Sequence, residues 1–154
     1  MTKLCSNVLT VLAGKTLVTA ESITGGGIGA ALTAVSGSSA VYKGGIISYT
    51  NWVKENVLGV SHETLETHGA VSLQTAEQMA IGARKLLVAD VAVSVTGLAG
   101  PGGDDYGNPV GTVFIGYCDE KSCISREFHF SGDRDHIRNQ AICAALSLIL
   151  EFNR

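Results

Sequence analysis

The chain has 154 residues, 45% apolar and only 16% charged, with 19 glycines and a formal net charge of −3. So little charge with so much glycine excludes a disordered chain or a coiled coil, and the glycines lack the three-residue period of collagen. The length suits a single domain, residues 1–154, that buries its own core, and no basic cluster exceeds Arg84-Lys85, so a nucleic-acid partner is not expected.

Leu4, Val8, Val11 and Leu12 recur at helical spacing, with Gly14 as a C-terminal stop. Thr16–Ala20 reads as a short buried strand, followed by Gly25-Gly26-Gly27 and an alanine-rich helix from about Ile28 to Val35. Gly44–Thr50 reads as a second strand, and a short helix runs from Asn51 to about Leu58. Ser61 is expected to cap a helix through Leu65, and Ser72 one that continues to about Leu87. Ala89–Thr96 is the clearest strand, ending in a loop, Gly97–Pro109, that holds both prolines. Val110–Cys118 and Ser122–Phe130 read as a hairpin, and Asp133 caps a final helix with Ile137, Ala141, Ala144, Ala145 and Leu148 on one side. This order implies an α/β fold: a three-layer α/β/α sandwich with a mixed, mostly parallel sheet of about five strands.

Cys5 and Cys143 fall in apolar helical patterns and the N-terminus lacks the layout of a signal peptide, so the four cysteines are expected to be reduced thiols in a cytoplasmic protein. No apolar run is long enough to cross a membrane. The four histidines form no HxxxH or HExxH spacing, so no metal site is expected.

Gly25-Gly26-Gly27-Ile28-Gly29-Ala30 matches the dinucleotide fingerprint, but that stretch has no acidic residue about 20 positions on, where Ser48-Tyr49-Thr50-Asn51 stands. A mononucleotide or phosphate at this helix start remains compatible with the pattern. Gly14-Lys15-Thr16 resembles the tail of a P-loop but precedes a strand instead of following one. With no G-x-S-x-G elbow and no S-x-x-K pair, the nucleophile candidate is Ser22, at the C-terminal end of the first strand. If the first two strands are neighbours, Ser22, Tyr49 and Lys54 converge at one rim, and a desolvated Lys54 could take the serine proton. Thr96, Gly97, Ala99 and Gly100 follow the clearest strand and bring backbone N–H groups to the same rim. Arg134 and Arg138, one helical turn apart, could reach one anion together, although a solvated pair is equally compatible with the spacing.

Several ordered segments resemble the CinA C-terminal domain family. They are Thr19-Ala20-Glu21-Ser22-x-Thr24-Gly25-Gly26, Gly37-Ser38-Ser39-Ala40, Tyr49-x-Asn51-x-x-Lys54, Leu58-Gly59-Val60, His68-Gly69-Ala70-Val71-Ser72, Thr96-Gly97-x-Ala99-Gly100-Pro101, Pro109-Val110-Gly111-Thr112-Val113 and Gly132-Asp133-Arg134. The resemblance implies an anticodon-binding-domain-like sandwich and hydrolysis of the carboxamide of nicotinamide mononucleotide (NMN), without metal or cofactor, in pyridine-nucleotide recycling. It implies Ser22 as nucleophile, with Lys54 as base assisted by Tyr49. On this reading Thr24 and the N–H groups of Gly25, Gly26 and Gly27 meet the substrate or its oxyanion. Thr96, Gly97, Ala99 and Gly100, with Arg134 or Arg138, hold ribose and phosphate. The resemblance also suggests a homo-oligomer, most simply a dimer, with Trp52 as a candidate contact. Two departures stand out: Ile23 replaces a frequent Cys beside the nucleophile, and Trp52-Val53 replaces a frequent Glu-Ala.

Overall fold

The computed structural model describes every residue from Met1 to Arg154. Helix α1 (Thr2–Val11) leads into β1 (Leu17–Glu21), then α2 (Gly27–Thr33), a 3-10 turn (Ser38–Ala40) and β2 (Tyr42–Ile47). Three helices follow, α3 (Asn51–Asn56), α4 (His62–Thr67) and α5 (Leu73–Leu86). Strands β3 (Val91–Gly97), β4 (Thr112–Cys118) and β5 (Cys123–His129) precede α6 (Arg134–Asn153). The expected helix caps are present: Ser61, Ser72 and Asp133 each accept a hydrogen bond from the backbone N–H three residues on.

The sheet order is β2-β1-β3-β4-β5, with β1 parallel to both β2 and β3 and antiparallel ladders joining β3 to β4 and β4 to β5. Four of the five strands therefore point the same way. β1 and β4 are buried along their whole length, as continuous apolar runs between two helical layers must be. The edge strands β2 and β5 keep part-exposed, mixed faces. α1, α2 and α6 cover one face, packing Leu12, Ile28, Leu146 and Ile149 against Leu17, Val93 and Ile115. α4 and α5, with Leu58 and Val60, cover the other through Leu65, Met79 and Ala80 against Val18 and Ala92. The result is the expected α/β/α sandwich. No helix is long and apolar enough to cross a membrane.

Two details depart from the sequence reading. β2 runs from Tyr42 to Ile47 and stops short of Ser48–Thr50, because those carbonyls turn inward to a lysine described below instead of continuing a ladder. Cys118 and Cys123 are not separate thiols: the hairpin register sets them directly opposite, Cα atoms 4.1 Å apart, and they are joined as a disulfide. Cys5 and Cys143 are free.

The chain leaves β1 toward β2 on one side and returns to β3 on the other. The crevice beyond the C-terminal end of β1 is thus the topological switch point, where ligands of open α/β sheets bind. It is walled on one side by the crossing of α5 over the segment after α3. A Cβ at Gly82 would drive into the Leu58 carbonyl oxygen. Alanine gains about 1 kcal/mol over glycine in an open helix, whereas overpacking costs about 1–3 kcal/mol, so the steric effect wins. Gly82→Ala is expected to lower the urea midpoint by a net cost of about 1–2 kcal/mol. A raised midpoint would show that α5 slides freely over this segment.

Candidate active site

β1 delivers Ser22 to the rim: its N–H donates to Val95 O of β3 at 2.9 Å, the last rung before the chain leaves the sheet. On the neighbouring strand Ser48 N–H donates to Glu21 O at 2.8 Å, after which residues 48–50 swing into α3, capped by Thr50. Lys54 lies on the inward face of that helix and is only 1% exposed. Its Nζ donates to Ser22 Oγ at 2.9 Å, to Ser48 O at 2.7 Å and to Tyr49 O at 3.2 Å. Burial disfavours the ammonium and lowers the Lys54 pKa from 10.5 to about 8. No carboxylate pairs with it, and all three partners are neutral oxygens.

A cavity of about 310 Å³ opens over this pair, within the range of small-molecule sites. Ser22, Tyr49, Lys54, Thr96, Gly97, Ala99, Gly100 and Arg134 line it, so eight of the expected residues meet in one place. Thr96 is held by donating its hydroxyl to Ala70 O at 2.8 Å. Arg134 donates from Nη1 to Gly100 O at 2.7 Å, which sets a cation at the mouth beside the glycine loop.

Tyr49 differs from expectation. Its ring is 61% exposed, its hydroxyl reaches Arg134 Nη2 only at 3.5 Å, and its link to Lys54 runs through the backbone carbonyl. The phenol stands at the mouth, and the proton-transfer contact is made by Ser22 and Lys54 alone.

Thr24, Gly25, Gly26, Gly27 and Arg138 do not line the cavity. Gly25 and Gly26 have φ of 58° and 98°, which turn the chain sharply from strand to helix. A Cβ at Gly27 would lie 2.7 Å from Ile142 Cδ1, so this glycine lets α2 approach α6. The N–H groups of Gly25 and Gly27 already donate to Ser22 O and Thr24 O. The next two, of Ile28 and Gly29, donate to the carboxylate of Glu21 at 2.8 and 3.1 Å. The start of α2 is thus satisfied from within, by a side chain from the preceding strand. Thr24 also gives its hydroxyl to Glu21, and Arg138 bonds backbone carbonyls.

The sequence reading assigned no role to Glu21, Ala70, Val71 or Leu98. Glu21 carried a signal: an acid inside a buried strand needs partners. Ala70, Val71 and Leu98 are lining residues with nothing in their chemistry to mark them. Of the two departures, Ile23 lines the cavity beside Ser22 while Trp52, 67% exposed, lies outside it. No three His, Cys, Asp or Glu side chains converge to hold a metal ion.

The family described as the CinA C-terminal domain matches residues 2–153. The chain belongs to that family. A CinA-like protein of Thermosynechococcus vestitus is 49% identical over 88% of this chain, which spans 33% of that relative, so several curated family members are about three times as long. The nicotinamide-nucleotide amidohydrolase PncC of Escherichia coli K12 is 45% identical over 88% of this chain and is itself covered over 83% of its length. Among solved CinA-family structures, the competence/damage inducible protein of Agrobacterium tumefaciens superposes with a TM-score of 0.95 at 42% identity, covering 99% of this chain and 94% of the other. A CinA superfamily protein of Klebsiella pneumoniae superposes at 0.94 with 36% identity, covering 97% and 94%.

Between pH 8 and 10.5 an unfolded lysine is still protonated while folded Lys54 is not, so unfolding takes up a proton and rising pH favours the fold. Relative to Lys54→Met, the wild type should gain thermal stability from pH 8 to 10, read as a growing difference in Tm. A constant difference would mean that folded Lys54 titrates like a free lysine.

Proposed function

We propose that this chain is an amidohydrolase that converts the carboxamide of NMN to the carboxylate and ammonia, contributing to pyridine-nucleotide recycling. The observation that carries the reading is the 2.9 Å contact between Ser22 Oγ and a buried Lys54 Nζ at the floor of the cavity. The similarity to an E. coli nicotinamide-nucleotide amidohydrolase supports the choice of substrate.

In this mechanism neutral Lys54 takes the Ser22 proton as Oγ attacks the carboxamide carbon, forming a tetrahedral intermediate whose former carbonyl oxygen is negative. The lysinium then gives that proton to the departing nitrogen, which leaves as ammonia, and an acyl ester remains on Ser22. Water, deprotonated by the same lysine, hydrolyses the ester and restores the free serine. A lysine with its pKa near 8 suits both duties, since its two forms are both populated near neutral pH. Ser48 O and Tyr49 O steady the ammonium when it forms without a counter-carboxylate, which would raise its pKa and disable it as a base.

Arg134 is the group we assign to the phosphate of the nucleotide, with the Gly97–Gly100 loop along the ribose, because its guanidinium is fixed at the open end of the cavity. Tyr49, exposed beside it, offers a flat apolar face at the entrance. Ile23 narrows the cavity next to the nucleophile, which favours a flat aromatic amide.

Ammonia release from NMN is the direct test. Ser22→Ala is expected to reduce kcat by at least about 10³-fold and Lys54→Ala by about 10²- to 10⁴-fold. In the wild type kcat/KM should rise with pH to a plateau through a pKa near 8, as Lys54 loses its proton. Turnover retained in Ser22→Ala contradicts the nucleophile assignment. A wild type that NMN stabilises against heat without turnover is a nucleotide-binding protein and contradicts the reaction.

A further inference from the structure

Arg134 and Arg138 lie one turn apart on α6 but engage different parts of the molecule. Arg134 faces the cavity. Arg138 instead donates from Nε to Ile23 O at 3.0 Å and from Nη2 to Thr24 O at 3.3 Å, the first two carbonyls after the nucleophile residue. On the inner side of the same turn Glu21, 2% exposed, accepts from Thr24 Oγ1, Ile28 N and Gly29 N, and also from Thr19 Oγ1. The segment that carries Ser22 is therefore gripped by a guanidinium from α6 and a carboxylate from β1.

Consecutive planes in this turn are linked. Each peptide unit is planar and trans, so fixing a carbonyl fixes the opposite direction of the N–H in the same plane. Arg138 holds Thr24 O and so orients the Gly25 N–H, which donates to Ser22 O at 3.1 Å. That bond orients the next plane, between Ser22 and Ile23, and with it the Ile23 N–H. This N–H has no acceptor within the protein, and Ile23 lines the cavity beside Ser22. Thr24, whose N–H is also without an acceptor, is fully buried, which leaves the Ile23 N–H as the donor on the cavity side. The N–H of the residue after a nucleophilic serine, on a strand-to-helix turn, is well placed to meet the oxyanion that the attack creates.

We propose that Arg138 is a positioning residue for catalysis: through the Thr24 and Ser22 carbonyls it aims the Ile23 N–H at the developing oxyanion. It does so without touching the substrate, in contrast to Arg134. The proposal rests on the amidohydrolase reading above, and its grip on the turn is charge-assisted, which a neutral side chain of the same length cannot reproduce. Methionine removes the guanidinium while keeping most of the apolar stem. Lysine keeps the charge but reaches one carbonyl at most.

The full-length chain is assayed with NMN and, separately, with a fluorophosphonate that labels serine nucleophiles. In the second reaction Ser22 Oγ bonds to phosphorus, fluoride leaves, Lys54 takes the proton, and the phosphoryl oxygen occupies the oxyanion position. Arg138→Met is expected to lower kcat about 10- to 100-fold with KM within about twofold of wild type, since one misplaced oxyanion donor acts on the transition state alone. The pKa near 8 in kcat/KM should persist, because the contact between Ser22 and Lys54 is untouched. Arg138→Lys should recover part of kcat, and the labelling rate should fall in parallel with it. Arg134→Met should instead raise KM.

Unchanged kcat in Arg138→Met, counted per labelled Ser22 so that misfolded molecules drop out, overturns the proposal. A raised KM at constant kcat also overturns it, as the signature of direct substrate contact. If the wild type labels but does not hydrolyse NMN, the substrate reading fails while the labelling rates still decide the role of Arg138. A wild type that does not label overturns both.

Discussion

A lysine ammonium that has left water without gaining a carboxylate is the constraint around which this fold is arranged. Moving the Lys54 pKa from 10.5 to about 8 corresponds to about 3 kcal/mol against the charged form. That is a sizeable share of the about 5–15 kcal/mol that holds a domain together. The surroundings make it tolerable with three neutral oxygens, two of them carbonyls freed because β2 ends at Ile47. The buried Ser48 hydroxyl, in the same short segment, has no partner at all. Unfavourable terms thus gather between β2 and α3, beside the nucleophile, as expected where activity and stability compete.

The turn after β1 is governed by a second buried charge. Glu21 spends its carboxylate on Ile28 and Gly29 N–H and on two threonine hydroxyls, so it answers the positive end of α2 from inside the protein. A glycine-rich strand-to-helix turn commonly cradles a ligand's phosphate. Here the same geometry fixes a serine instead, and the anion-binding duty passes to Arg134 across the cavity. The glycines serve the bend at Gly25 and Gly26 and the close approach of Gly27 to Ile142.

The layered fold could be read from the sequence because apolar runs and capping residues are local signals. β1, β3 and the caps Ser61, Ser72 and Asp133 all announce themselves over a few positions. Ser22, Lys54 and the loop at Gly97–Gly100 were legible from strand ends and from resemblance, and they do meet. What stayed hidden depends on direction. Spacing cannot tell that Tyr49 contributes its carbonyl and turns its ring outward. Nor can it tell that two arginines one turn apart diverge, one to the cavity and one to backbone oxygens of another element. The pairing of Cys118 with Cys123 follows from hairpin register, which the sequence left open by a residue at either end.

The central claim is that burial alone makes Lys54 a base at near-neutral pH. NMR titration of the ζ-ammonium and ε-methylene of Lys54 in the free protein, assigned with Lys54→Met, measures that directly. A midpoint near 8, returning toward neither the free-lysine value nor a salt-bridged one, is the result this account predicts. A midpoint near 10.5 would contradict it, because Lys54 would then be an ammonium throughout the working range and could not accept the serine proton.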